Sequence, residues 1–444
     1  MKKVLSVLLA AALMLSSAAA VAEGGRFNFF DFFNEQNVTI TKSEYDSLQR
    51  FKKLAEVYEK VARYYYEDPD EDLMMEGAMW GMLQALGDPY TFYYSPDDWQ
   101  KNLEDDEGRY AGVGIQMLGN YQTNVVTISR VFNNTPAERA GLHKGDILVR
   151  VDDLTVTAET MSDAADLMRG KEAETVEIEV ERRGEKLVFT VGREEIHVNW
   201  IESTMLDDQV GLIALYEFSG DCEVQLTNAL KKLREQGATS LIIDLRDNGG
   251  GWVDAARIIA DLFLDGGVLF YAENRAGRRD NYYTRNGKDD IPLVFLVNGG
   301  SASASEILSG SLQDLGRACV VGTKTYGKGI MQRVIELDGV NDRADGMQVT
   351  YAQYFMPSGR KVHKVGITPD IICEMPEELV SEYFELGDMD DVQLKKAWET
   401  AVALRDGQIV LSPAEPYTEE DDDADDDSDA AAFAPMPLFV SLPL

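Results

Sequence analysis

Three separated stretches of this chain carry residue types able to break a covalent bond. Ser301-Ala302-Ser303-Ala304-Ser305-Glu306 follows an apolar run, Leu293 to Val297, and opens a helical pattern, Ile307 to Leu315. A serine at a tight strand-to-helix turn is held up for attack, and the amides of the helix start can stabilise an oxyanion. The plainer reading of such a run is a helix cap. Asp244-Leu245-Arg246-Asp247-Asn248-Gly249-Gly250-Gly251 lies between an expected strand, 241–244, and a helix from Trp252. Backbone N–H groups in such a loop can converge on a phosphate or a developing oxyanion, although glycines alone are equally a flexible turn. Gly322-Thr323-Lys324-Thr325-Tyr326-Gly327-Lys328-Gly329 comes near a phosphate-binding loop, but Gly329 stands where magnesium needs a hydroxyl. The following residues, 329–335, read as an extended run and not as a helix, so a nucleotide site is disfavoured.

Taken together, the three pieces point to peptide-bond hydrolysis by a serine that lysine activates. A serine needs a base, and the chain has only three histidines, His143, His197 and His363. Lysine can serve once burial lowers its pKa from about 10.4 far enough to populate the neutral amine. Lys328, between two glycines in an apolar stretch, suits that role. Gln332, four positions on, can orient the amine without adding charge. A Ser-His-Asp arrangement would have to recruit His363, which sits in the cluster Arg360-Lys361-Val362-His363-Lys364 and reads as solvated; it ranks below a serine–lysine pair.

These residues need elements to hold them. At 444 residues the chain allows about three domains, and 45% hydrophobic residues provide for a sizeable core. A formal net charge of −36 disfavours nucleic acid and an anionic membrane face as partners. Cys222, Cys319 and Cys373 make neither a disulfide framework nor metal-ligand spacing, and no metal or cofactor is expected. Residues 1–22 read as an export signal: Lys2 and Lys3, an apolar run from Val4 to Leu15, and small residues Ala20-Val21-Ala22 for cleavage. The alternative is an uncleaved membrane anchor; either way the bulk lies outside the cytoplasm. Segment 41–106 is helical, with Leu48, Phe51, Leu54, Val57 and Val61 at helical spacing and a stop at Gly87-Asp88-Pro89. Two such helices cannot bury a core alone and should pack on another domain or on a second copy of the chain. Short β-rich runs fill 109–193, mixed strands and helices 195–375, and a shorter helical piece 376–411. Residues 412–444 read as a disordered tail, in which Glu419 to Asp429 hold nine acidic residues before an apolar end.

The sequence resembles the carboxyl-terminal processing peptidases, also called tail-specific proteases, from about Thr41 to Ala403. The carriers are the Ser301–Leu308 run, Tyr326-Gly327-Lys328-Gly329 with Gln332, Gly87-Asp88-Pro89-Tyr90-Thr91, the loop 244–251, and Met356-Pro357-Ser358-Gly359-Arg360 with Gly366-Ile367-Thr368-Pro369-Asp370. The resemblance implies an α/β protease core of the ClpP/crotonase-like kind with an inserted PDZ domain. It implies Ser303 as nucleophile, Lys328 as general base, Gln332 as its support, and an oxyanion hole from the Ala304 amide and that of Gly250 or Gly251. Gly249 departs from the family, where many members have proline. Gly112-Val113-Gly114-Ile115 matches the PDZ loop that binds a terminal carboxylate, and Thr135-Pro136-Ala137 to Lys144-Gly145-Asp146 the internal PDZ signature. Arg169 is a candidate for coupling the PDZ to the protease site. The expected partners are proteins or peptides ending in a free apolar C-terminus, with a homodimer through the N-terminal helices. The rival expectation is a catalytically silent or partner-gated PDZ scaffold. The acidic tail with its apolar end is a candidate to reach a PDZ groove, as a plug or a self-processing substrate.

Overall fold

The computed structural model describes residues 40–100, 109–120, 123–170, 174–287, 289–337, 344–379, 384–417 and 442–443. The export signal and the acidic block expected above lie outside these residues, as do 101–106. Residues up to Ala78 form one compact unit and those from Met79 a second. In the first, α1 (Lys42–Tyr64) carries Leu48, Phe51, Leu54 and Val57 at the expected spacing, and all four are exposed. Tyr58, on the same helix, donates to Glu71 at the start of α2 (Glu71–Gln84). After α2, Gly87 takes a positive φ of 67°, as a helix stop requires.

β1 (Phe92–Tyr94) precedes a β-rich domain: β2 (Arg109–Gly112), β3 (Ile115–Asn120), β4 (Val125–Val131), α3 (Pro136–Ala140), β5 (Ile147–Val151), β6 (Leu154–Thr155), α4 (Met161–Met168), β7 (Thr175–Arg182), β8 (Glu185–Gly192) and β9 (Glu194–His197). Strands β3-β4-β5-β7-β8 form an antiparallel sheet. Alternation drives it: Val126 and Ile128 on β4 and Val176, Ile178 and Val180 on β7 are buried against Met161, Ala164, Ala165 and Met168 of α4. β2 pairs with β9, so the pairing runs on to His197, past the limit of 193 expected.

The core follows as β10 (Ile201–Met205), β11 (Val210–Leu215), α5 (Cys222–Glu235), β12 (Ser240–Asp244), α6 (Val253–Asp261), β13 (Asp265–Asn274), β14 (Arg279–Asn286), β15 (Leu293–Val297), α7 (Ala304–Asp314), β16 (Cys319–Gly322), β17 (Ile330–Leu337), β18 (Asp345–Phe355), β19 (Ile371–Ile372) and α8 (Val392–Arg405). Its first sheet has the order β10-β11-β12-β15-β16-β19, parallel throughout except for β10. Strands β12 and β15 are apolar on both faces because both are covered. Leu241, Ile243, Phe295 and Val297 pack with α5, α6 and α7; Ile242, Val294 and Leu296 pack with Leu394, Ala397 and Ala401 of α8. The second sheet is antiparallel, β1-β18-β13-β14, with β17 also on β18.

The expected extended run is strand from Ile330, as β17. Residues 412–417, expected to open a disordered tail, instead lie on the core: Ala414 N donates to Asp314 O at 2.7 Å and Tyr417 N to Ser358 O at 2.9 Å. Backbone pairing with two ordered loops outweighs the composition change. The three cysteines are unpaired.

Candidate active site

The parallel sheet supplies one half of the site. β15 ends at Val297, and the turn 298–303 feeds α7. Of the three serines in the run 301–305, two are spent. Ser301 is fully buried and donates to Leu245 O at 2.7 Å; Ser305, also buried, donates to Asn248 O at 2.9 Å. Ser303 is half-buried, with φ 56° and ψ −114°. A non-glycine residue rarely adopts that conformation, and it costs of order 1–3 kcal/mol. Such a strand-to-helix elbow holds the side chain up from the backbone, a geometry that suits a nucleophile. Ala304 is the first residue of α7, so its amide has no partner within the helix.

The glycine loop after β12 lies directly against this turn. Asn248, fully buried, accepts from Ala302 N at 3.0 Å through its carbonyl and donates from its side chain to Leu215 O at 2.7 Å. A Cβ on Gly250 would lie 2.7 Å from Ser303 Cβ and 3.0 Å from Ala304 N, so only glycine fits. The Gly250 amide is committed to Asn248 Oδ1 at 2.9 Å. Gly251 pairs with Phe218 through the N–H and C=O of its neighbours: Phe218 N donates to Gly250 O, and Trp252 N to Phe218 O. Its own amide has no acceptor among the described residues. At Gly249 a Cβ would meet open space, so the loop's shape does not depend on that departure from the family.

The antiparallel sheet supplies the other half. Lys328 precedes β17 and is half-buried. Burial lowers its amine to about 8, against Asp88 and Glu306, which favour the charged form. Desolvation outweighs both carboxylates. The amine lies 4.2 Å from the centre of the Tyr90 ring. Among the described residues no hydrogen bond joins it to Ser303 Oγ. Gln332 also makes no direct bond to the amine: its Nε2 donates to Thr350 Oγ1 at 3.1 Å. Thr350 in turn bonds Asp88, whose carboxyl is held low, despite burial, by Thr350, Thr91 and the Tyr90 amide. Gln332 thus reaches the lysine through Thr350 and Asp88. His363, expected to be solvated, is half-buried because Gly329 packs on its backbone. Burial and Lys364 keep its imidazole below the usual range.

Two residues given no role by the sequence reading clamp the halves together. Glu306 is fully buried. One oxygen accepts from Ser303 N at 2.9 Å and Lys328 N at 2.8 Å, the other from Gly327 N at 2.7 Å and Thr325 Oγ1 at 2.6 Å. Burial pushes its carboxyl up to about 7, opposed by those four donors. Tyr354 on β18, also fully buried, donates to Lys328 O at 2.7 Å and Ser303 O at 3.2 Å. The spacing Ser303-x-x-Glu306, a capping-box pattern, was the available signal for the glutamate; nothing local marks Tyr354. Glu306→Gln is expected to lower kcat at least about tenfold and to destabilise by roughly 2–4 kcal/mol, because its NH2 would face N–H donors with no acceptor. Thermal unfolding and initial rates check this; wild-type values for both would refute it.

In the β-rich domain, the carbonyls of Val113 and Gly114 turn inward, accepting from Ala137 N at 2.9 Å and Phe132 N at 3.0 Å. The amides of Val113 and Gly114 have no acceptor among the described residues. Gly114 has φ 90° and abuts Thr135, which leaves no room for a Cβ. Gly112 ends β2 and Ile115 begins β3, both buried. Arg169 caps α4, its amide donating to Ala165 O at 2.9 Å, and the adjoining Gly170 N donates to Ala111 O at 3.2 Å. Arg130, which the sequence reading passed over, leaves β4 for the core: it is buried, donates to Asn199 O at 2.5 Å and Glu202 at 3.2 Å, and stacks on Tyr216 at 3.6 Å.

Comparison with known proteins places the chain in a family. Residues 209–373 match the model for peptidase family S41, 127–182 that for a PDZ domain, and 19–97 that for the activating protease CtpB N-terminal domain. A carboxyl-terminal-processing protease of Synechocystis sp. is 38% identical over 340 residues, 74% of this chain and 77% of the relative. The carboxy-terminal processing protease CtpA of Bacillus subtilis is 30% identical over 367 residues, 82% of this chain and 76% of the relative. Among solved structures, the photosystem II D1 C-terminal processing protease aligns with a TM-score of 0.54 and 28% identity, over 79% of this chain and 91% of that one. With a serine elbow, a lysine of lowered pKa and a PDZ domain in one chain, this protein belongs to the carboxyl-terminal processing proteases of peptidase family S41 and is a serine-type peptidase.

Proposed function

We propose that this chain is an exported endopeptidase that recognises the free apolar C-terminus of protein substrates and cuts through an acyl-enzyme. The observation that carries the reading is the shared clamp on Ser303 and Lys328: one acceptor, Glu306, and one donor, Tyr354, hold both backbones. The core's covered parallel sheet fits the ClpP/crotonase-like architecture. The neutral Lys328 amine takes the Ser303 proton as the oxygen attacks the scissile carbonyl. The oxyanion forms against the Ala304 amide and that of Gly251, which is favoured over Gly250 because the latter is already bonded. The ammonium then protonates the leaving amine, and the same lysine later activates water to release the acyl group. Gln332, through Thr350 and Asp88, sets the lysine's surroundings.

Substrate capture is assigned to Gly112-Val113-Gly114-Ile115, whose inward carbonyls leave amides for a carboxylate, with β3 as the edge to which a substrate strand adds. Arg169 and Arg130 are the candidates for passing occupancy of that groove to the core. The exposed apolar stripe of α1 supports a homodimer through the N-terminal helices. Among the described residues no helix is long and apolar enough to cross a membrane, and residues 1–22 are assigned as the export signal.

One observation favours a second reading, a partner-gated state: the amine rests over Tyr90 and is not bonded to Ser303. The test is cleavage of an unfolded model protein ending in apolar residues, followed by intact mass, with wild type, Ser303→Ala and Lys328→Ala side by side and a capped C-terminus as control. Cutting by wild type alone, lost on capping, is the expected result. Equal inactivity of all three with retained peptide binding would favour the gated scaffold.

A further inference from the structure

The β-rich sheet does not end at β3. A last strand, β20 (Leu442–Pro443), lies on the outer edge of β3, with Leu442 opposite Met117 and Pro443 opposite Gln116. The pairing is antiparallel, so this strand's forward end is directed at the Gly112–Ile115 loop. Among the described residues β3 has no other neighbour on that side, because its remaining partner is β4. Ile115 and Met117 are fully buried in the domain core, which leaves β3 to engage a partner through backbone along its edge.

We infer that this chain is a ligand of its own PDZ groove: segment 442–443 occupies the β3 edge and competes with the substrate's C-terminal strand for it. The inference rests on the assignment of β3 as the substrate-binding edge. Reach is sufficient, since Tyr417 is fixed to Ser358 on the core and 24 residues separate it from Leu442, a span of up to roughly 80 Å. A ligand tethered in this way acts at an effective concentration on the order of 1 mM without being consumed. Substrates whose ends bind more weakly than that threshold would be refused, and those with a stronger end admitted. The tail sets a selectivity floor and leaves the catalytic centre itself untouched.

The experiment compares full-length Ser303→Ala protein with the same protein lacking residues 418–444, and with Leu442→Pro, which removes a backbone N–H from the added strand. The probe is a fluorescent ten-residue peptide ending in free Leu-Leu-Val, followed by anisotropy. The expected result is about tenfold tighter binding to the truncated protein, an intermediate gain for Leu442→Pro, and displacement of the probe from truncated protein by a peptide of residues 435–444. Equal affinity for all three proteins, with no displacement by the 435–444 peptide, would overturn the inference while leaving substrate recognition by the PDZ intact. Failure of the probe to bind even the truncated protein would overturn the recognition reading itself, and this inference with it. If the gain on truncation vanishes as full-length protein is diluted, the tail is delivered by a second copy, and the cis assignment is refuted.

Discussion

Ser303→Gly is expected to abolish peptide cleavage and yet to give a more stable protein than Ser303→Ala. Both variants lose the nucleophile, and the drop in kcat/KM should be about 10^4-fold or more, leaving only what binding and the oxyanion amides supply. They differ in backbone freedom. At φ 56° and ψ −114°, alanine keeps the steric penalty of serine, whereas glycine escapes it. Glycine's greater freedom in the unfolded chain offsets about 0.4–1 kcal/mol of that gain, so the net difference should be about 1 kcal/mol in favour of Ser303→Gly. For a core of this size that is a rise of roughly 2–4 °C in Tm. Calorimetry of the two variants decides it. If Ser303→Gly melts at or below Ser303→Ala, the elbow is not strained, and serine stands there without a conformational cost.

Lys328→Met is expected to be nearly as damaging, with a loss of about 10^3-fold or more, since general-base assistance disappears while the apolar stem is kept. The wild-type pH profile provides a second readout. With the amine lowered to about 8, kcat/KM should climb about tenfold per pH unit below that point and level off above it. An unperturbed lysine would keep climbing past pH 10. Stability should respond as well. The folded state binds the lysine proton less tightly than the unfolded state, so stability rises with pH between about 8 and 10.4 and is lowest, for this group, below 8. Lys328→Met should therefore be more stable than wild type at pH 7, by a margin that shrinks as pH approaches 10. Tyr90, Asp88 and Glu306 face the amine, and burial against the two carboxylates sets the midpoint, so Asp88→Asn should move it down. A flat profile from pH 6 to 10 would remove Lys328 from the role of base.

What could be read beforehand followed the period and the punctuation of the chain. The alternation of β4 and β7, the double-faced apolar runs of β12 and β15, and the extended run after Gly329 are local patterns, and each became the element it predicts. Ser303 was singled out by resemblance; the structure adds a physical reason, because Ser301 and Ser305 are consumed by carbonyls of the neighbouring loop. The contacts of Lys328 were not legible. Tyr90 and Asp88 lie more than 230 positions earlier, and Tyr354 is one apolar-looking residue in a strand that reads like its neighbours. Glu306 was given no role, although its spacing from Ser303 was in plain view. What the spacing could not reveal is that the same carboxylate also receives the lysine loop. Residues 412–417 failed for the opposite reason: their composition suggested solvent, and only long-range backbone pairing holds them down.

The clamp has a consequence for the timing of the enzyme's life. Synthesis delivers the serine turn first, on a parallel layer complete in its central strands, while the lysine and the strand bearing Tyr354 emerge later. A half-made or half-melted chain holds Ser303 without Lys328 and Glu306 without three of its four donors. Hydrolytic power is therefore the last property such a molecule acquires and the first it loses on heating. A peptidase built this way is at its least dangerous to its siblings when it is itself unfolded.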